Sequence, residues 1–272
     1  MNLNMAEENK KQETKTEEKN IVETSKTEEI KEEKEEENNE LVESKKKKIE
    51  IIEETKEERI KKENLEAWKP KTKVGLLVKE GRIKDIDETI INYKILEPEI
   101  VDSLLDLKSN LLNIGQSKGK FGGGKRRVWR QTQKKTAEGN VPTFACLAVV
   151  GDEQGHVGIG YEKAKETLPA REKAVRRAKL DIIKINRGCG SFDCSCNEPH
   201  SIPFKVEGKC GSIKITLIPA SQGTGLVIGD ECKKILRLAG IKDIYGKTFG
   251  QTRTTVNLAK ACMQALKKTN VK

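Results

Sequence analysis

Residues 144–161 read Phe-Ala-Cys-Leu-Ala-Val-Val-Gly-Asp-Glu-Gln-Gly-His-Val-Gly-Ile-Gly-Tyr. The apolar run 144–150 ends in two β-branched residues and predicts a buried strand. The segment 151–155 is polar and bounded by glycines, so it predicts a turn, and 156–161 then returns as a second strand. We therefore expect an antiparallel hairpin here.

The second strand contains a glycine pattern, Gly-His-Val-Gly-Ile-Gly over 155–160, that could also be a phosphate-binding loop. A phosphate-binding loop leads directly into a helix, and no helix follows this pattern. We favour a strand in which Gly158 and Gly160 leave room for a neighbouring backbone or helix.

Helical periodicity flanks the hairpin on both sides. Residues 97–107 predict one helix, because Pro98 suits its first turn and apolar residues follow at helical spacing. Residues 169–185 predict another, packed through a stripe at every fourth position: Ala170, Ala174, Ala178 and Ile182. The first module is therefore expected to have the order α-β-β-β-α.

A second module follows with the expected order β-β-α-β-α, which predicts a sheet with helices on one face. Its predicted strands are 202–206, 212–219 and 241–245. The glycine-rich turn 223–229 leads into a helix at 232–239, with Asp230 as N-cap and Gly240 as the stop. A last helix begins near Thr254 or Thr255 and runs through Lys268. The fold class is α+β.

Charge is unevenly distributed along the 272 residues. Residues 1–70 carry 16 basic and 22 acidic side chains, whereas 71–272 carry 37 basic and 21 acidic ones. Only 35% of residues are hydrophobic and 4% aromatic, which predicts small, thin cores. The longest apolar run has seven residues and no apolar leader precedes a cleavage site, so neither a membrane span nor a signal peptide is expected.

The first 66 residues are rich in Lys and Glu and poor in apolar residues. Such a composition buries too little surface to offset the entropy of ordering. We interpret 1–66 as a disordered tail, either simply solvated or serving as an interaction arm.

The segment 115–135, which we predict to be a glycine-rich loop, is the strongest functional signal. Eight of its 21 residues are Lys or Arg, and no acid follows until Glu138. Together with the basic helix 171–179 it favours binding of structured RNA, since few aromatics are present for stacking on single strands. The predicted RNA-binding residues are Lys118, Lys120, Lys125, Arg126, Arg127, Arg130, Lys134, Lys135, His156, Lys163, Lys165, Arg171, Arg176, Arg177, Lys179, Arg187 and Arg253.

Three of the seven cysteines crowd into the Gly- and Ser-containing linker 186–200. Cys189, Cys194 and Cys196, followed by His200, have the spacing C-x4-C-x-C-x3-H, and thiolate-rich sets favour zinc. We predict a structural zinc site with His200 or Cys210 as the fourth ligand. The alternative is three free thiols in a reducing compartment. Neither histidine is in an arrangement typical of catalysis, and we expect a protein that is not an enzyme.

Three blocks carry a family resemblance: residues 144–166, residues 187–230 (RGCGSFDCSCNEPHSIPFKVEGKCGSIKITLIPASQGTGLVIGD) and residues 239–269. Together they resemble the ribosomal protein S-five family, the universal fifth protein of the small ribosomal subunit. The likeness spans roughly 68–270 in family order. The cysteine-bearing block and LEPEIVDSLL near residue 100 resemble the archaeal branch. Compared with that family, residues 115–124 look like an insertion.

The resemblance implies a first module like a double-stranded-RNA-binding domain and a β-α-β second module. It also implies binding to small-subunit rRNA beside the third, fourth and eighth universal small-subunit proteins. That place is near the messenger RNA entry channel of the cytoplasmic ribosome, with an influence on decoding fidelity and no membrane contact. The expected segments are tail 1–66, extension 67–110 with short helices, first module 111–185, linker 186–200 and second module 201–272.

Two other function classes remain open from the sequence. One is an RNA-processing factor built on the first module, which co-sedimentation with ribosomal subunits would separate from a ribosomal constituent. The other is a small-molecule kinase using the second module. The segment 223–229 lacks the Gly-Lys-Ser/Thr ending of a nucleotide loop, which disfavours a kinase.

Overall fold

The computed structural model describes residues 65, 67–116, 126–196 and 198–270. The chain divides into two compact units, Met1–Ala67 and Trp68–Lys272, and the fold below is that of the second unit. The predicted disordered tail lies outside the described residues except for Leu65, and so do Lys118, Lys120 and Lys125.

Three short helices precede a mixture of strands and helices in the described part of the chain. Its α-helices are α1 (Lys73–Lys79), α2 (Ile86–Asn92), α3 (Pro98–Leu104), α4 (Thr167–Leu180), α5 (Asp230–Leu238) and α6 (Thr255–Lys267), the last followed by a 3-10 turn at Lys268–Asn270. Its strands are β1 (Lys108–Leu111), β2 (Arg130–Thr136), β3 (Gly139–Gly151), β4 (His156–Ala164), β5 (Ile182–Lys184), β6 (Val206–Cys210), β7 (Ile213–Pro219), β8 (Leu226–Val227) and β9 (Ile244–Phe249). Among these described helices, none has the length and apolar character needed to cross a bilayer.

The first sheet is built around the predicted hairpin, β3 and β4, which pair antiparallel. On the other edge of β3, β1 pairs with its last four residues and β2 with residues 139–145. After Leu112, whose N–H still donates to the carbonyl oxygen of Leu147, the chain leaves this edge, and it rejoins it at Arg130 opposite Ala145. β1 and β2 are thus two parts of one interrupted strand along that edge. Counted so, the order α3-β-β3-β4-α4 confirms the predicted first module.

The helix predicted over 169–185 is wrong at its C-terminal end. α4 stops at Leu180, and Ile182–Lys184 form β5 on the free edge of β4, with Ile182 opposite Gly158. Two consecutive β-branched residues favour extended backbone, and the unpaired strand edge supplies hydrogen bonds that a longer helix would forgo. The helix expected over 97–107 is likewise shorter, since α3 ends at Leu104.

The glycines of β4 allow α4 to lie directly on the sheet. A Cβ atom at Gly158 would stand 2.2 Å from the carbonyl oxygen of Ala178, and one at Gly160 would stand 2.1 Å from that of Ala174. Both alanines are fully buried in the predicted stripe. The interpretation of Gly158 and Gly160 as space for a neighbouring helix is therefore confirmed.

The second sheet has the order β6-β7-β9-β8, with β8 parallel to β9 and the other pairs antiparallel. Two predicted strands are displaced: 202–206 is β6 at Val206–Cys210, and 241–245 is β9 at Ile244–Phe249. Ile202 and Ile241 are buried in the core without belonging to a strand. The two residues are apolar because they are buried in the core, although they pair with no strand. An apolar pattern alone therefore misplaced the boundaries of β6 and β9.

The two modules share one large core, so the expectation of small, thin cores is wrong. Leu147 and Val149 of β3 lie in the same buried cluster as Ile235 of α5, Leu266 of α6 and Ile215 of β7. The opposite face of the first sheet packs on α4 through Cys146 and Ala148. The layers follow as α4, first sheet, α5 with α6, second sheet. The shared core fixes the two modules relative to each other, and the predicted limits of the linker stay a prediction.

Candidate nucleic-acid interface and metal centre

The basic segment predicted as a loop is partly a strand. β2, Arg-Gln-Thr-Gln-Lys-Lys-Thr, is exposed along its whole length and pairs with the first half of β3. The hydroxyls of Thr132 and Thr143 lie 2.7 Å apart across this ribbon. A two-stranded ribbon of this kind presents Arg130 and Lys134 on one face and Lys135 on the other.

A cationic cleft opens beside the ribbon, between the first sheet and the start of α6. It has a volume of about 840 Å³, and its charged walls are Arg126, Arg130, Arg253 and Lys260. None of the described residues that line it is acidic. Arg126 donates a hydrogen bond to the carbonyl oxygen of Arg253 at 2.5 Å, which joins the ribbon side of the cleft to the second module.

Lys260 was missed by sequence reasoning because it belongs to the helix predicted near the end of the chain. The only signal in the sequence was a lysine on the polar side of the predicted helix, and the structure shows this side chain exposed on α6. The tertiary packing of α6 against the first sheet brings Lys260 to the predicted Arg130 and Arg253.

The predicted cations of α4 divide into two groups. Arg171, Arg176 and Arg177 are exposed, as are Lys163 and Lys165 just before the helix. Lys179 is half-buried, and its Nζ lies 2.7 Å from Oδ2 of Asp102 in α3. The charge of Lys179 is therefore paired with the carboxylate of Asp102 within the protein.

Two other predicted RNA-binding residues have structural contacts. Nη1 of Arg187 donates to the carbonyl oxygens of Glu153 and Gly240, 3.3 and 3.5 Å away, and so bridges the two modules. The ring of His156 is held at both nitrogens: Nδ1 lies 2.5 Å from Asp152, and Nε2 lies 2.9 Å from Asp87 of α2. We therefore leave His156 out of the proposed RNA contacts.

This charge cluster, His156 with Asp87, Asp152 and Lys184, ties the N-terminal extension to the first sheet. Burial alone would lower the pKa of His156, but its hydrogen bonds to Asp152 and Asp87 outweigh burial and raise the pKa above its usual value. Burial acts against Asp152 too, yet the hydrogen bond to His156 holds the pKa of that carboxyl low.

Stability should consequently depend on pH through His156. A raised histidine pKa contributes stability that is complete below about pH 6.5 and is lost as the pH rises through the folded-state pKa. The free energy of unfolding in urea should fall between pH 5.5 and 8.5 by up to about 1.5 kcal/mol more in the wild type than in His156→Gln, about one charged hydrogen bond. Equal pH dependence of the two proteins would contradict the raised pKa.

The metal ligands predicted from spacing converge in the structure. Ligand atoms of Cys189, Cys194, Cys196 and His200 all lie within 4.8 Å of one another. Sγ of Cys194 is 3.5 Å from Nε2 of His200, and the sulfurs of Cys189 and Cys196 are 3.6 Å apart. A tetrahedral zinc ion with Zn–S of about 2.3 Å and Zn–N of about 2.05 Å places a sulfur–nitrogen pair about 3.6 Å apart and a sulfur–sulfur pair about 3.8 Å apart. The two pairs above are close to these values, whereas the sulfurs of Cys194 and Cys196, which are 3.0 Å apart, would have to separate when zinc binds. The group can hold a metal ion.

Of the two alternatives for the fourth ligand, the geometry selects His200. Cys210 ends β6 and is not among the converging residues. The hydrogen bond with Cys196 lowers the pKa of the Cys194 thiol to about 6, which favours the thiolate, the form that binds metals.

His200 is oriented from behind by a residue that the sequence did not reveal. The ring is 2% exposed, and its Nδ1 lies 2.8 Å from Oδ2 of the equally buried Asp243, at an angle that departs from an ideal hydrogen bond. Asp243 is 43 residues away in the sequence, so only the fold brings it there. Nε2, the other ring nitrogen, faces the cysteines.

Two family profiles match the chain. The one described as "Ribosomal protein S5, N-terminal domain" matches residues 128–186, and "Ribosomal protein S5, C-terminal domain" matches residues 208–271. The first match contains β2 to β5 and α4, and the second contains most of the second module. The Cys-His group lies between the two matched segments.

The chain is also similar to curated archaeal proteins named "Small ribosomal subunit protein uS5". The one from Nanoarchaeum equitans is 53% identical over 207 residues, which are 75% of this chain and 89% of that protein. The one from Thermofilum pendens is 50% identical over 204 residues, 74% of this chain and 94% of the relative. The one from Methanocaldococcus jannaschii is 48% identical over 209 residues, 76% and 89% of the two chains.

Proposed function

The chain belongs to the uS5 family of structural proteins of the small ribosomal subunit, and from that membership we propose that it binds small-subunit rRNA through the ribbon, the cationic cleft and α4. The observation that carries this proposal is the cleft, where four cations from two modules converge without a lining acid among the described residues. Phosphate groups are the partner that such a surface fits, because they need cations held on a rigid scaffold.

The contact residues we propose are exposed cations, together with the half-buried Arg126. The ribbon contributes Arg130, Lys134 and Lys135, the cleft adds Arg126, Arg253 and Lys260, the end of β4 and the residue after it add Lys163 and Lys165, and α4 adds Arg171, Arg176 and Arg177. Arg127 lines a second cleft next to the ribbon residues Arg130 and Gln131. A protein seated in this way acts by holding RNA in place, and we assign it no catalytic residue.

The finer placement follows from the family resemblance. We propose that the protein lies on the cytoplasmic ribosome near the messenger RNA entry channel, beside the third, fourth and eighth universal small-subunit proteins, and contributes to decoding accuracy. Co-sedimentation with small subunits in a high-salt sucrose gradient tests stable incorporation. Loss of the protein from the subunits in high salt would favour a transient RNA-processing factor instead.

Charge reversal on the ribbon tests the RNA surface directly. Lys134→Glu with Lys135→Glu should reduce the slope of log affinity against log salt by about two units, one for each phosphate that is no longer neutralised. The measurement is binding to small-subunit rRNA across a salt series. The matched control is Lys73→Glu with Lys84→Glu, two exposed cations of the extension. Equal slopes for both double variants would refute the assignment of the ribbon.

We also propose that Cys189, Cys194, Cys196 and His200 hold a structural zinc ion. Three soft thiolates and one imidazole form a set typical of closed, four-coordinate zinc sites. The shared core already fixes the two modules, so we expect the ion to order the linker itself rather than set the angle between modules.

Elemental analysis of the purified protein should find about one zinc per chain. Cys194→Ser with Cys196→Ser should abolish that content, because two of the four ligands become weakly coordinating hydroxyls. Cys210→Ser is the control and should keep its zinc, since Cys210 lies outside the cluster. Wild-type protein that is purified without chelators and holds no zinc would rule out the site.

A further inference from the structure

The proposed zinc centre is connected to a distant part of the second module through Asp243. Oδ2 of this carboxylate lies 2.8 Å from Nδ1 of His200, and Oδ1 accepts a hydrogen bond of 2.7 Å from the backbone N–H of Gly225. Asp243 is 4% exposed. A buried carboxylate needs donors on its oxygens. The N–H of Gly225 donates to Oδ1, whereas Nδ1 of His200 lies beside Oδ2 at an angle outside that of a hydrogen bond.

Backbone hydrogen bonds also join the segments that carry His200 and Asp243. The N–H groups of Lys242 and Asp243 both donate to the carbonyl oxygen of His200, at 2.9 and 3.2 Å. The hydroxyl of Ser201 donates to the carbonyl oxygen of Asp243 at 2.5 Å. His200 and Asp243 are thus fixed to each other by main-chain as well as side-chain contacts.

The oxygen of Asp243 that does not face His200 contacts a glycine-rich turn, Ser221–Gly225. Gly223 and Gly225 have φ values of +86° and +72°, a region that favours glycine, and within the turn the N–H of Thr224 donates to the carbonyl oxygen of Ser221 at 3.3 Å. Two further contacts come from outside the turn: the backbone N–H of Gln222 bonds to Cys194, and that of Gly225 bonds to Asp243.

We propose that Asp243 is the positioning residue of the zinc centre and that metal binding thereby orders the turn Ser221–Gly225. This inference rests on the proposed zinc site. Asp243 holds the ring proton on Nδ1, which leaves the lone pair of Nε2 directed at the metal. The same carboxylate anchors Gly225 through its second oxygen, so a metal-bound His200 and an ordered turn require the same side-chain position.

The turn also shapes a cationic surface. Gly225 lines a cleft of about 630 Å³ whose charged walls are four cations, Arg187, Lys233, Arg237 and Lys242, and one acid, Glu153. Ordering of the turn by the metal therefore determines one wall of this cleft.

Asp243→Asn tests the inference, because an amide cannot replace both carboxylate oxygens. If its oxygen faces His200, its NH2 group meets the N–H of Gly225. If its NH2 group faces Nδ1, the ring proton is driven to Nε2, which then cannot bind the metal. Either orientation should weaken zinc binding about 10- to 100-fold in a competition titration with a chromophoric chelator. The matched control is Asp193→Asn, an exposed carboxylate in the same loop, which should bind zinc like the wild type.

Hydrogen exchange provides a second measurement that needs no variant. Removing zinc from the wild-type protein with a chelator should speed exchange of the amides of Gln222 and Gly225, while the amides of β3 stay protected. Wild-type zinc affinity in Asp243→Asn, or unchanged exchange in the turn after zinc removal, would overturn the inference and leave the zinc site standing. A wild-type protein without zinc would overturn both.

Discussion

Leu147→Ala is expected to lower the free energy of unfolding by about 2–5 kcal/mol, the cost of a large-to-small change in a packed core. Leu147 is fully buried on β3, in the cluster that includes Ile235 of α5 and Leu266 of α6. The cavity would therefore open between the first sheet and the helices of the second module. Both modules should lose stability together, in a single cooperative transition.

Urea unfolding combined with hydrogen exchange would measure this effect. Exchange should accelerate in α6 as well as in β3, because both elements belong to the core that contains Leu147. Leu168→Ala removes the same atoms from a side chain that is 63% exposed on α4, and should change stability by less than about 0.5 kcal/mol. Acceleration confined to the first module would mean that the modules have separate cores.

The sequence predicts those elements of the fold in which apolar pattern and glycine act together. The hairpin of β3 and β4 is the clearest case, since an uninterrupted apolar run precedes a glycine-bounded turn. β2 was missed because Arg-Gln-Thr-Gln-Lys-Lys-Thr has no apolar residue. It is a strand only because Thr136 pairs with Gly139 across a tight turn and the ribbon continues from there. Pairing of this kind depends on the partner strand more than on local propensity.

The candidate sites were predictable to the extent that they are local in sequence. The spacing of four predicted ligands within twelve residues indicated that they converge, because a short linker brings such residues together. Asp243 and Lys260 were not found, since each reaches its site through packing of an element far along the chain. His156 was assigned to RNA from its sequence neighbourhood, whereas Asp87 of the extension occupies its outer nitrogen. Residues that act across elements become visible only in the fold.

Gly160→Ala should destabilise the protein by about 3 kcal/mol or more, the upper range of the cost of overpacking a core. The added Cβ would stand 2.1 Å from the carbonyl oxygen of Ala174 and 2.4 Å from the backbone nitrogen of Ala178. Neither is a flexible side-chain atom, so the whole of α4 must move away from β4. That movement would also shift Arg176 and Arg177, and RNA affinity should fall along with the melting temperature.

Gly229→Ala adds the same methyl group where no atom lies within 4 Å and where φ is −60°, which alanine adopts readily. Gly229 is the N-cap of α5, so the change should cost no more than about 1 kcal/mol. The difference between the two variants isolates the close approach of α4 to β4 from the general effect of replacing glycine. If thermal unfolding gave both variants the same melting temperature, α4 could not lie against the backbone of β4 as closely as the structure has it.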